Sequence, residues 1–275
     1  LSYMSEFDYE KSIWGKGMAS LGWKSPTSFR LRQALSALAR LKPGAKVLEI
    51  GCGAGQFIRA IKKIRPDLIC HGSDISRNAI EAAEKEKDGV VYGLSEEKKS
   101  PYENNFFDAV LIFDVLEHVQ DPDAMLAEIN RLMKIGGVFY CFVPCEGDAL
   151  SLWHWAKKLS GQGHELTKKY AGHINYFTRW SLFDLFKKNN FDLIKVRYSE
   201  HFLGQLLGIF VFIAMDRAVK QKKIIQINNE TYFAKEKQSR LIKFFKDIVN
   251  SAVYLESIIF SRVPSPNVHL TVIKK

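Results

Sequence analysis

The chain has 275 residues, enough for one large α/β domain or two small ones. Apolar residues make up 47% and charged residues 25% of the sequence, an ordinary globular composition that excludes a disordered chain and a multi-span membrane protein. The formal charge of +10 is uneven, because residues 1–150 carry 19 Lys+Arg against 21 Asp+Glu (net −2), whereas residues 151–275 carry 21 against 9 (net +12). The basic second half indicates either an acidic partner, such as a phosphorylated substrate, nucleic acid or anionic lipid, or a solvated basic face.

The four cysteines offer neither a secretory disulfide framework nor a zinc-type CxxC pair. They are Cys52, Cys70, Cys141 and Cys145. No charged-then-apolar leader is visible, so a reducing, cytoplasmic setting is the expectation.

Short apolar runs alternate with amphipathic stretches after "LKPGAKVLEI", which is typical of a parallel sheet flanked by helices. An amphipathic helix over Ser28–Leu41 precedes the first strand. The predicted strands are Val47–Ile50, Leu68–Gly72, Val90–Tyr92, Phe107–Phe113 and Gly137–Val143. The predicted helices between them lie near Ala54–Ile64, Arg77–Lys87 and Asp123–Met133.

The pattern loosens after Pro144. The predicted order there is a helix around Ala149–Leu159, a Gly- and His-bearing loop "SGQGHELTKKYAGHINYF", a helix over Trp180–Lys188, a strand over Phe191–Tyr198 and a closing strand "NVHLTVIKK". No linker, repeat or low-complexity tract divides the chain, so we expect one domain with an insertion.

A glycine-rich turn follows the first buried strand in "VLEIGCGAGQF". Gly51, Gly53 and Gly55 allow positive φ and close approach to a ligand, and the helix that follows offers free N–H groups. The same turn occurs in dinucleotide-binding folds, but Glu49 favours a cationic ligand over a pyrophosphate. Asp74, which lies 23 positions after Gly51, is placed to accept hydrogen bonds from ribose hydroxyls. Both acidic residues fit a charged nucleoside without phosphates.

Four linked motifs resemble the class I S-adenosylmethionine-dependent methyltransferases, in the small-molecule subgroup that includes ubiquinone-pathway O-methyltransferases. The motifs are "VLEIGCGAGQF", "GSDIS", "NNFFDAVLIFDVLEHVQDP" and "LMKIGGVFYCFVP", and the match covers roughly residues 28–198. The resemblance implies a Rossmann-like seven-stranded α/β sheet, parallel except for an antiparallel last strand, with helices on both faces. It also implies three parts: an N-terminal helical cap (1–44), a cofactor-binding core (45–145) and a substrate-side half (146–275) with a helical insertion at about 200–264.

The resemblance implies S-adenosylmethionine as the cofactor. Glu49, Gly51 and Gly53 then border its methionine part, Asp74 holds the ribose, and Phe113 and Asp114 lie beside the sulfonium. After the third strand the family usually has an acidic residue near the adenine, whereas this chain has Leu94 followed by Ser95. The full predicted cofactor set is Glu49, Gly51, Cys52, Gly53, Gly55, Gln56, Asp74, Ile75, Leu94, Ser95, Phe113 and Asp114.

Methyl transfer needs a general base only when the acceptor is a neutral hydroxyl. The predicted catalytic residues are His118, His173 and Tyr176, with His164 a further candidate base, and a hydrogen-bonding structural role remains open for His118 and His173. Asp114, Glu117 and His118 loosely match a run that accompanies a divalent metal in some ubiquinone-pathway relatives. Because the same "LEH" also occurs in relatives without metal, no metal site is predicted.

About 65 residues separate the last two predicted strands, where the family usually has a short hairpin. They hold two apolar helical segments, "FLGQLLGIFVFIAM" and "LIKFFKDIVNSAVYLESIIF", with the basic "DRAVKQKK" after the first. The first would span only about 21 Å as a helix, short of a ~30 Å bilayer core, and the second carries four charges. Three interpretations stay open for residues 202–262: core, a lid over a lipophilic substrate, or peripheral docking on a membrane.

The predicted function is biosynthetic methylation of a small molecule, at an oxygen of a lipophilic, phosphorylated or glycan-like acceptor. One alternative is RNA methylation by the basic half, although no Asn/Asp-Pro-Pro-Tyr motif follows the fourth strand and no RNA-binding module is visible. The other is a non-catalytic member of the fold that binds cofactor or lipid. Nucleic acid is the less favoured partner, and the sequence leaves the oligomeric state open.

Overall fold

The computed structural model describes residues 8–10, 13–96, 100–160, 163–222 and 240–275. Parts of the predicted N-terminal cap, and residues 223–239 in the middle of the predicted insertion, therefore lie outside the described residues.

The centre of the fold is one seven-stranded sheet of strand order β3-β2-β1-β4-β5-β7-β6. The strands are β1 Lys46–Ile50, β2 Ile69–Asp74, β3 Val91–Leu94, β4 Phe107–Phe113, β5 Met133–Pro144, β6 Phe191–Ser199 and β7 Asn267–Lys274. The first five pair in parallel, and β7 inserts antiparallel between β5 and β6. The predicted fold class, including the antiparallel last strand, is confirmed.

Helices cover both faces of the sheet. They are α1 Ser28–Ala37, α2 Gln56–Ile64, α3 Arg77–Glu84, α4 Pro122–Leu132, α5 Leu152–Ser160, α6 Gly163–Ala171, α7 Arg179–Lys188, α8 Leu203–Lys222 and α9 Arg240–Ile259. One core layer packs α4 and α7 against the sheet, and the other packs α1 and α2. Strand β4, buried at every position except Asp108, belongs to both layers, as expected for a central strand of a parallel sheet.

Two predictions in the second half need correction. Residues 163–171, predicted as loop, form α6, whose Thr167 and Tyr170 are buried against the rest of the domain. Strand β5 begins directly after α4 at Met133, four residues before the predicted start, because Met133 pairs with Phe107 of β4. The Gly136–Gly137 pair lies within the strand, where the register between β4 and β5 shifts.

The two apolar segments of the predicted insertion form α8 and α9, which confirms them as helices. They meet where Glu256 of α9 accepts the backbone N–H groups of Phe202 and Leu203 at the start of α8, each at 2.9 Å. Among the described residues, no helix combines the length and the apolar character needed to cross a bilayer.

Candidate active site

The glycine-rich turn leaves β1 at the carboxyl edge of the sheet, where open α/β folds bind ligands. The Gly51 and Cys52 N–H groups donate to the Ser73 carbonyl at the end of β2, at 2.8 and 3.0 Å. Gly51 and Gly53 have φ of +70° and +53°. A Cβ at Gly51 would lie 2.6 Å from a Val115 methyl, and one at Gly53 would lie 2.5 Å from the Trp14 carbonyl oxygen. Neither position can therefore take a larger residue.

Two predicted carboxylates stabilise this turn through backbone N–H groups. The Asp74 carboxylate accepts from Gly53 at 2.7 Å and from Ser76 at 2.9 Å. The Glu49 carboxylate, 2% exposed, accepts from Ile58 in the first turn of α2 at 2.7 Å. Burial raises the pKa of both groups, and hydrogen bonds to backbone N–H groups oppose the shift. Asp74 thus fixes the glycine turn while it lines the cavity described below.

The structure brings most of the predicted cofactor residues to one cavity and leaves two outside its lining. Those that line it are Glu49, Gly51, Cys52, Gly53, Gln56, Asp74, Ile75, Ser95, Phe113 and Asp114. The exceptions are Gly55, whose Cα faces the Tyr92 hydroxyl, and Leu94, which is 40% exposed. Glu96, two residues after Leu94, does line the cavity and brings an acidic group to this wall.

An N-terminal segment within the predicted cap (1–44) covers the same cavity. The Glu10 carboxylate accepts from the Arg77 and Asn78 N–H groups and from the Ser76 hydroxyl, and so caps the start of α3. The Trp14 carbonyl accepts from the Ala54 N–H at 2.7 Å. These contacts place the segment over the glycine turn. The sequence carries no signal of the cap, because Glu10 lies more than 60 residues before the start of α3.

Asp114, at the end of β4, is held by an arginine that sequence reasoning missed. Its backbone has φ of +52°, and its Oδ2 lies 2.6 Å from an Arg30 guanidinium nitrogen. The same guanidinium bonds Glu200 at 3.2 Å and lies 3.9 Å above the Phe142 ring. Burial raises the pKa of Asp114, opposed by the positive charge of Arg30. Arg30 thus holds the Asp114 carboxylate in a fixed position.

Beyond Asp114, Glu117 is a fully buried acid. Neither of its carboxyl oxygens has a hydrogen-bond partner among the described residues. Burial, reinforced by the charge of Asp114, raises its pKa to about 8, so the group is protonated at neutral pH. Its backbone carbonyl accepts from Ile174 and Asn175, which joins the turn after β4 to the loop after α6.

The two predicted histidines lie together at the cavity wall, with ring centroids 5.0 Å apart. The His118 Nδ1 lies 3.2 Å from the Gly172 carbonyl. Because a carbonyl only accepts, Nδ1 carries the proton and Nε2 is the acceptor atom. Burial, together with the charge of His173, lowers the pKa of His118 to about 3. Burial also lowers the pKa of His173, but its 3.0 Å pair with Glu146 and the nearby Glu117 and Asp114 carboxyl groups together outweigh burial and raise the value to about 9.

Tyr176 is the predicted catalytic residue that lies apart from the cavity lining. Its hydroxyl lies 3.1 Å from the His173 carbonyl and 3.2 Å from the His164 carbonyl. Its ring stacks on the His164 ring at 3.9 Å. These contacts support the loop that carries His173, and a catalytic role for Tyr176 stays a prediction.

Glu117, His118 and His173 each place one potential ligand atom within 4.8 Å of the others. Such a spacing can hold a divalent cation, and the Nδ1 partners of the two histidines would orient them for it. Asp114, named in the sequence-based metal pattern, is instead paired with Arg30. The expectation of no metal stays a prediction.

A continuous cavity of about 2240 Å³ joins most of the predicted cofactor residues to His118 and His173. It runs from Asp74 and Ser95 past Asp114 and His118 to the two insertion helices. The helices line it with apolar side chains, among them Leu207, Phe210 and Val211 of α8 and Phe245, Val249 and Val253 of α9. Because small-ligand pockets occupy about 300–1,000 Å³, this cavity is large enough for two ligands side by side.

The sequence profile of a family described as "Methyltransferase domain" matches residues 27–196. This range begins at α1 and ends in β6, so it includes the glycine turn, Asp74, Asp114, His118 and His173.

Curated relatives match parts of the chain at about one-third identity. A ubiquinone/menaquinone biosynthesis C-methyltransferase of Desulfotalea psychrophila is 33% identical over 102 residues, which cover 36% of this chain and 42% of that protein. An uncharacterized methyltransferase of Schizosaccharomyces pombe is 29% identical over 164 residues, covering 56% and 55%. Phosphoethanolamine N-methyltransferase 3 of Arabidopsis thaliana is 32% identical over 146 residues, covering 50% and 28%. The matched part thus spans about half the length of the first two relatives.

Solved structures show the same fold across nearly the whole chain. A putative sarcosine dimethylglycine methyltransferase from Galdieria sulphuraria superposes with a TM-score of 0.60 at 13% identity, covering 96% of this chain and 94% of that one. The profile match covers more than half of the sequence and includes the glycine turn and Asp74 described above. The chain belongs to the family of S-adenosylmethionine-dependent methyltransferase domains.

Proposed function

We propose that this protein transfers the methyl group of S-adenosylmethionine to an oxygen of a lipophilic small molecule. The observation that carries the proposal is the single cavity, which joins the glycine turn and Asp74 at one end to the apolar walls of α8 and α9 at the other. A cofactor bound at the first end and an apolar acceptor at the second would meet near Asp114 and His118.

The residues present fit the family's cofactor. The turn between Gly51 and Gly53 has no room for a Cβ, which leaves its backbone open toward the cavity, and Asp74 offers carboxylate oxygens to ribose hydroxyls. Glu96 and Ser95 border the same end. S-adenosylmethionine supplies a methyl group on a sulfonium, a good leaving group that needs alignment more than activation.

The chain's residues then orient the acceptor, exclude water and take up a proton. His118 lines the cavity with its Nδ1–H directed at the Gly172 carbonyl, so Nε2 can accept a hydrogen bond from the acceptor hydroxyl. Its lowered pKa of about 3 keeps the ring neutral throughout the physiological range and makes it a weak base, so it takes the proton only as the O–CH3 bond forms and the acceptor oxygen becomes acidic. His173, paired with Glu146, packs against His118 and holds it in place.

The neutral imidazole of His118 beside the cavity supports an oxygen acceptor, because a hydroxyl has to lose its proton during methyl transfer. The names of the relatives do not select the atom, because they include C-, N- and O-methyltransferases. One of them is a sterol 24-C-methyltransferase of Gibberella zeae, whose named substrate is lipophilic. A lipophilic acceptor of this class would suit a protein that contacts a membrane surface peripherally.

Titration calorimetry followed by transfer assays tests the proposal. The chain is expected to bind S-adenosylmethionine. The Asp74→Ala variant is expected to bind it at least about tenfold more weakly, because the substitution removes two or more charge-assisted hydrogen bonds. With bound cofactor, methyl transfer is expected to hydroxyl-bearing acceptors with long apolar tails and not to their tail-less polar counterparts. Equal transfer to both acceptor classes would contradict a lipophilic acceptor. Absence of cofactor binding would contradict the proposed function as a whole.

A further inference from the structure

Glu117 has a buried carboxyl group that the proposed methyl transfer does not use. The residue is 0% exposed, and neither carboxyl oxygen has a hydrogen-bond partner among the described residues. Buried polar groups ordinarily have such a partner, because leaving one without it costs free energy. The two oxygens are therefore available to a ligand.

Two imidazole rings lie beside this carboxyl group. Glu117 Oε1 is 3.8 Å from His118 Nε2, and one ligand atom each from Glu117, His118 and His173 lies within 4.8 Å of the other two. We call these three residues the His–Glu cluster. Ligand atoms around a tetrahedral Zn²⁺ lie about 3.4 Å apart, because each is about 2.0–2.2 Å from the ion. The observed spacing is within reach of that value by side-chain rotation.

Both rings are oriented by oxygen acceptors on the side away from the cluster. His118 Nδ1 is held by the Gly172 carbonyl at 3.2 Å, and His173 Nδ1 by the Glu146 carboxylate at 3.0 Å. The Thr167 hydroxyl donates to the other Glu146 oxygen at 2.8 Å. Metal-binding histidines ordinarily donate one ring nitrogen to a carbonyl or carboxylate and bind the ion through the other. In this chain that leaves Nε2 of each ring for an ion.

A divalent ion also suits the charges in this part of the molecule. Without an ion, Glu117 is a neutral acid, and the cationic His173 is balanced by Glu146. Metal ions take deprotonated ligands, so binding would release the Glu117 proton and the His173 proton. Two positive charges leave and two arrive, so the net charge of this buried region stays the same. A change in buried charge, which would be costly, is thereby avoided.

The types of ligand select the ion. Zn²⁺ binds imidazole nitrogens and carboxylate oxygens, and sites with two histidines and one glutamate keep a fourth position open, whereas Mg²⁺ and Ca²⁺ take oxygen ligands. The sequence-based expectation of no metal considered Asp114 with Glu117 and His118. Asp114 is paired with Arg30, and the third ligand is instead His173, which that pattern did not include.

We propose that Glu117, His118 and His173 form a binding site for one Zn²⁺ ion, and that the bound ion prevents methyl transfer. His118 and His173 line the cavity, so the ion can enter from solvent. Bound zinc would occupy His118 Nε2, the atom to which the acceptor hydroxyl donates in the proposed function. Inhibition therefore rests on the proposed function, whereas zinc binding does not and is measured without cofactor or acceptor.

Competition with a chromophoric zinc indicator tests binding. The unsubstituted chain, first treated with a chelator, is expected to take up one Zn²⁺ per molecule. A large excess of Mg²⁺ is expected not to displace it, because two of the three ligands are nitrogens. Absence of zinc uptake, or displacement of zinc by Mg²⁺, would refute the site.

Matched substitutions locate the ion. Because Glu117 is already neutral, Glu117→Gln keeps the shape and charge of the metal-free chain and removes only the ionisable ligand. This variant and His173→Asn are expected to bind Zn²⁺ at least about tenfold more weakly, and Glu146→Gln, which acts through His173, about tenfold more weakly. His154→Asn, on α5 outside the cavity lining, should bind as the unsubstituted chain does. Full affinity in Glu117→Gln and His173→Asn, or an equal loss in His154→Asn, would overturn the proposal.

Two further measurements separate zinc binding from folding and from the proposed function. Calorimetric S-adenosylmethionine binding by metal-free Glu117→Gln should equal that of the unsubstituted chain, which shows that the variant is folded. In the transfer assay, turnover of the unsubstituted chain should fall as the zinc site fills and recover with chelator, and Glu117→Gln should need at least about tenfold more zinc for the same effect. Zinc that raises turnover, or inhibits both chains equally, would refute inhibition through this site.

Discussion

At the residue scale, the acidic groups around the proposed methyl-transfer point are not equivalent. Asp114 is held by Arg30 at 2.6 Å, while Glu117 has no hydrogen-bond partner for its carboxyl group among the described residues and, with a pKa of about 8, keeps its proton at neutral pH. Next to them His173 carries a positive charge beside Glu146. The site therefore holds the Arg30-paired Asp114, the neutral acid Glu117, the neutral imidazole of His118 and the cationic imidazole of His173 beside Glu146. Such separation of protonation states is typical of catalytic sites.

Arg30→Met is expected to weaken acceptor turnover more than cofactor binding. The substitution leaves the Asp114 and Glu200 carboxylates close together without their shared cation, so Asp114 loses its fixed position. Because both ion pairs are partly exposed, we expect a stability loss of about 1–3 kcal/mol, less than for a fully buried pair. Denaturant unfolding measures the loss of stability. Comparison of the change in kcat with the change in cofactor affinity shows whether turnover is affected more than cofactor binding. Arg30→Lys should restore part of the turnover, and a purely structural arginine would show no such recovery.

His269 predicts a pH effect on stability. Its ring is buried between the Tyr140 hydroxyl at 2.7 Å and the Ser199 hydroxyl at 2.8 Å, and burial lowers its pKa well below the ordinary 6.5. As the pH falls below about 6.5, the unfolded chain takes up a proton that the folded chain refuses, so stability declines. His269→Gln lacks this group, so its stability deficit relative to the unsubstituted chain should narrow by up to about 1 kcal/mol per pH unit below 6.5. Urea titrations at several pH values measure the difference, and a constant deficit would contradict the assignment.

At the element scale, α8 acts as one wall of the cavity, and Gly208 is the position at which that wall has spare room. A Cβ built at Gly208 meets no atom within 4 Å, while the backbone there is helical. A larger side chain can therefore enter the cavity without backbone strain.

Gly208→Leu is expected to shorten the apolar tail that the site accepts. The longest accepted acceptors should lose at least about tenfold in kcat/KM, because the new side chain occupies the space of several methylene groups of about 0.8 kcal/mol each. Short-tailed acceptors should react as before, and Gly208→Ala is the matched control, since it adds only a methyl group. An equal loss of kcat/KM for short and long acceptors would show that α8 does not limit the length of the apolar tail.

At the scale of the whole molecule, cofactor binding should stabilise the fold. The cofactor end of the cavity draws on β1, β2, α2 and the N-terminal segment, which are separate in sequence. A ligand that contacts all of them binds only the folded state, and at 100 times its Kd it adds about 2.7 kcal/mol to the free energy of unfolding. For a chain of this length, that corresponds to a melting temperature higher by a few degrees. Asp74→Ala at the same cofactor concentration should show a smaller rise, and an equal rise would place the binding elsewhere.

The charge asymmetry also belongs to the whole molecule. The second half carries a net charge of +12, and α8 and α9 lie within that half. A field of one sign over one half of a protein steers oppositely charged surfaces toward it.

Much of the cofactor end could be predicted from the sequence, because its signals are local. The alternation of apolar runs with amphipathic stretches determines a parallel sheet with flanking helices, and the glycines after β1 determine the turn that only they can form. Asp74 follows from the next strand by the same reasoning, since the carboxyl ends of parallel strands share one edge.

Only the tertiary structure decided what surrounds the methyl-transfer point. Arg30 reaches Asp114 and Glu200 across separations of 84 and 170 residues, and Glu146 reaches His173 only because α6 and the loop after β5 pack together. The apolar segments of the insertion were visible in the sequence, but which side of α9 is buried depends on its contacts with α8, α1 and β6. Contacts between distant segments leave no periodic signal in a sequence, so only the packing of this chain determined that the side of α9 with Asn250 and Ser257 faces the domain.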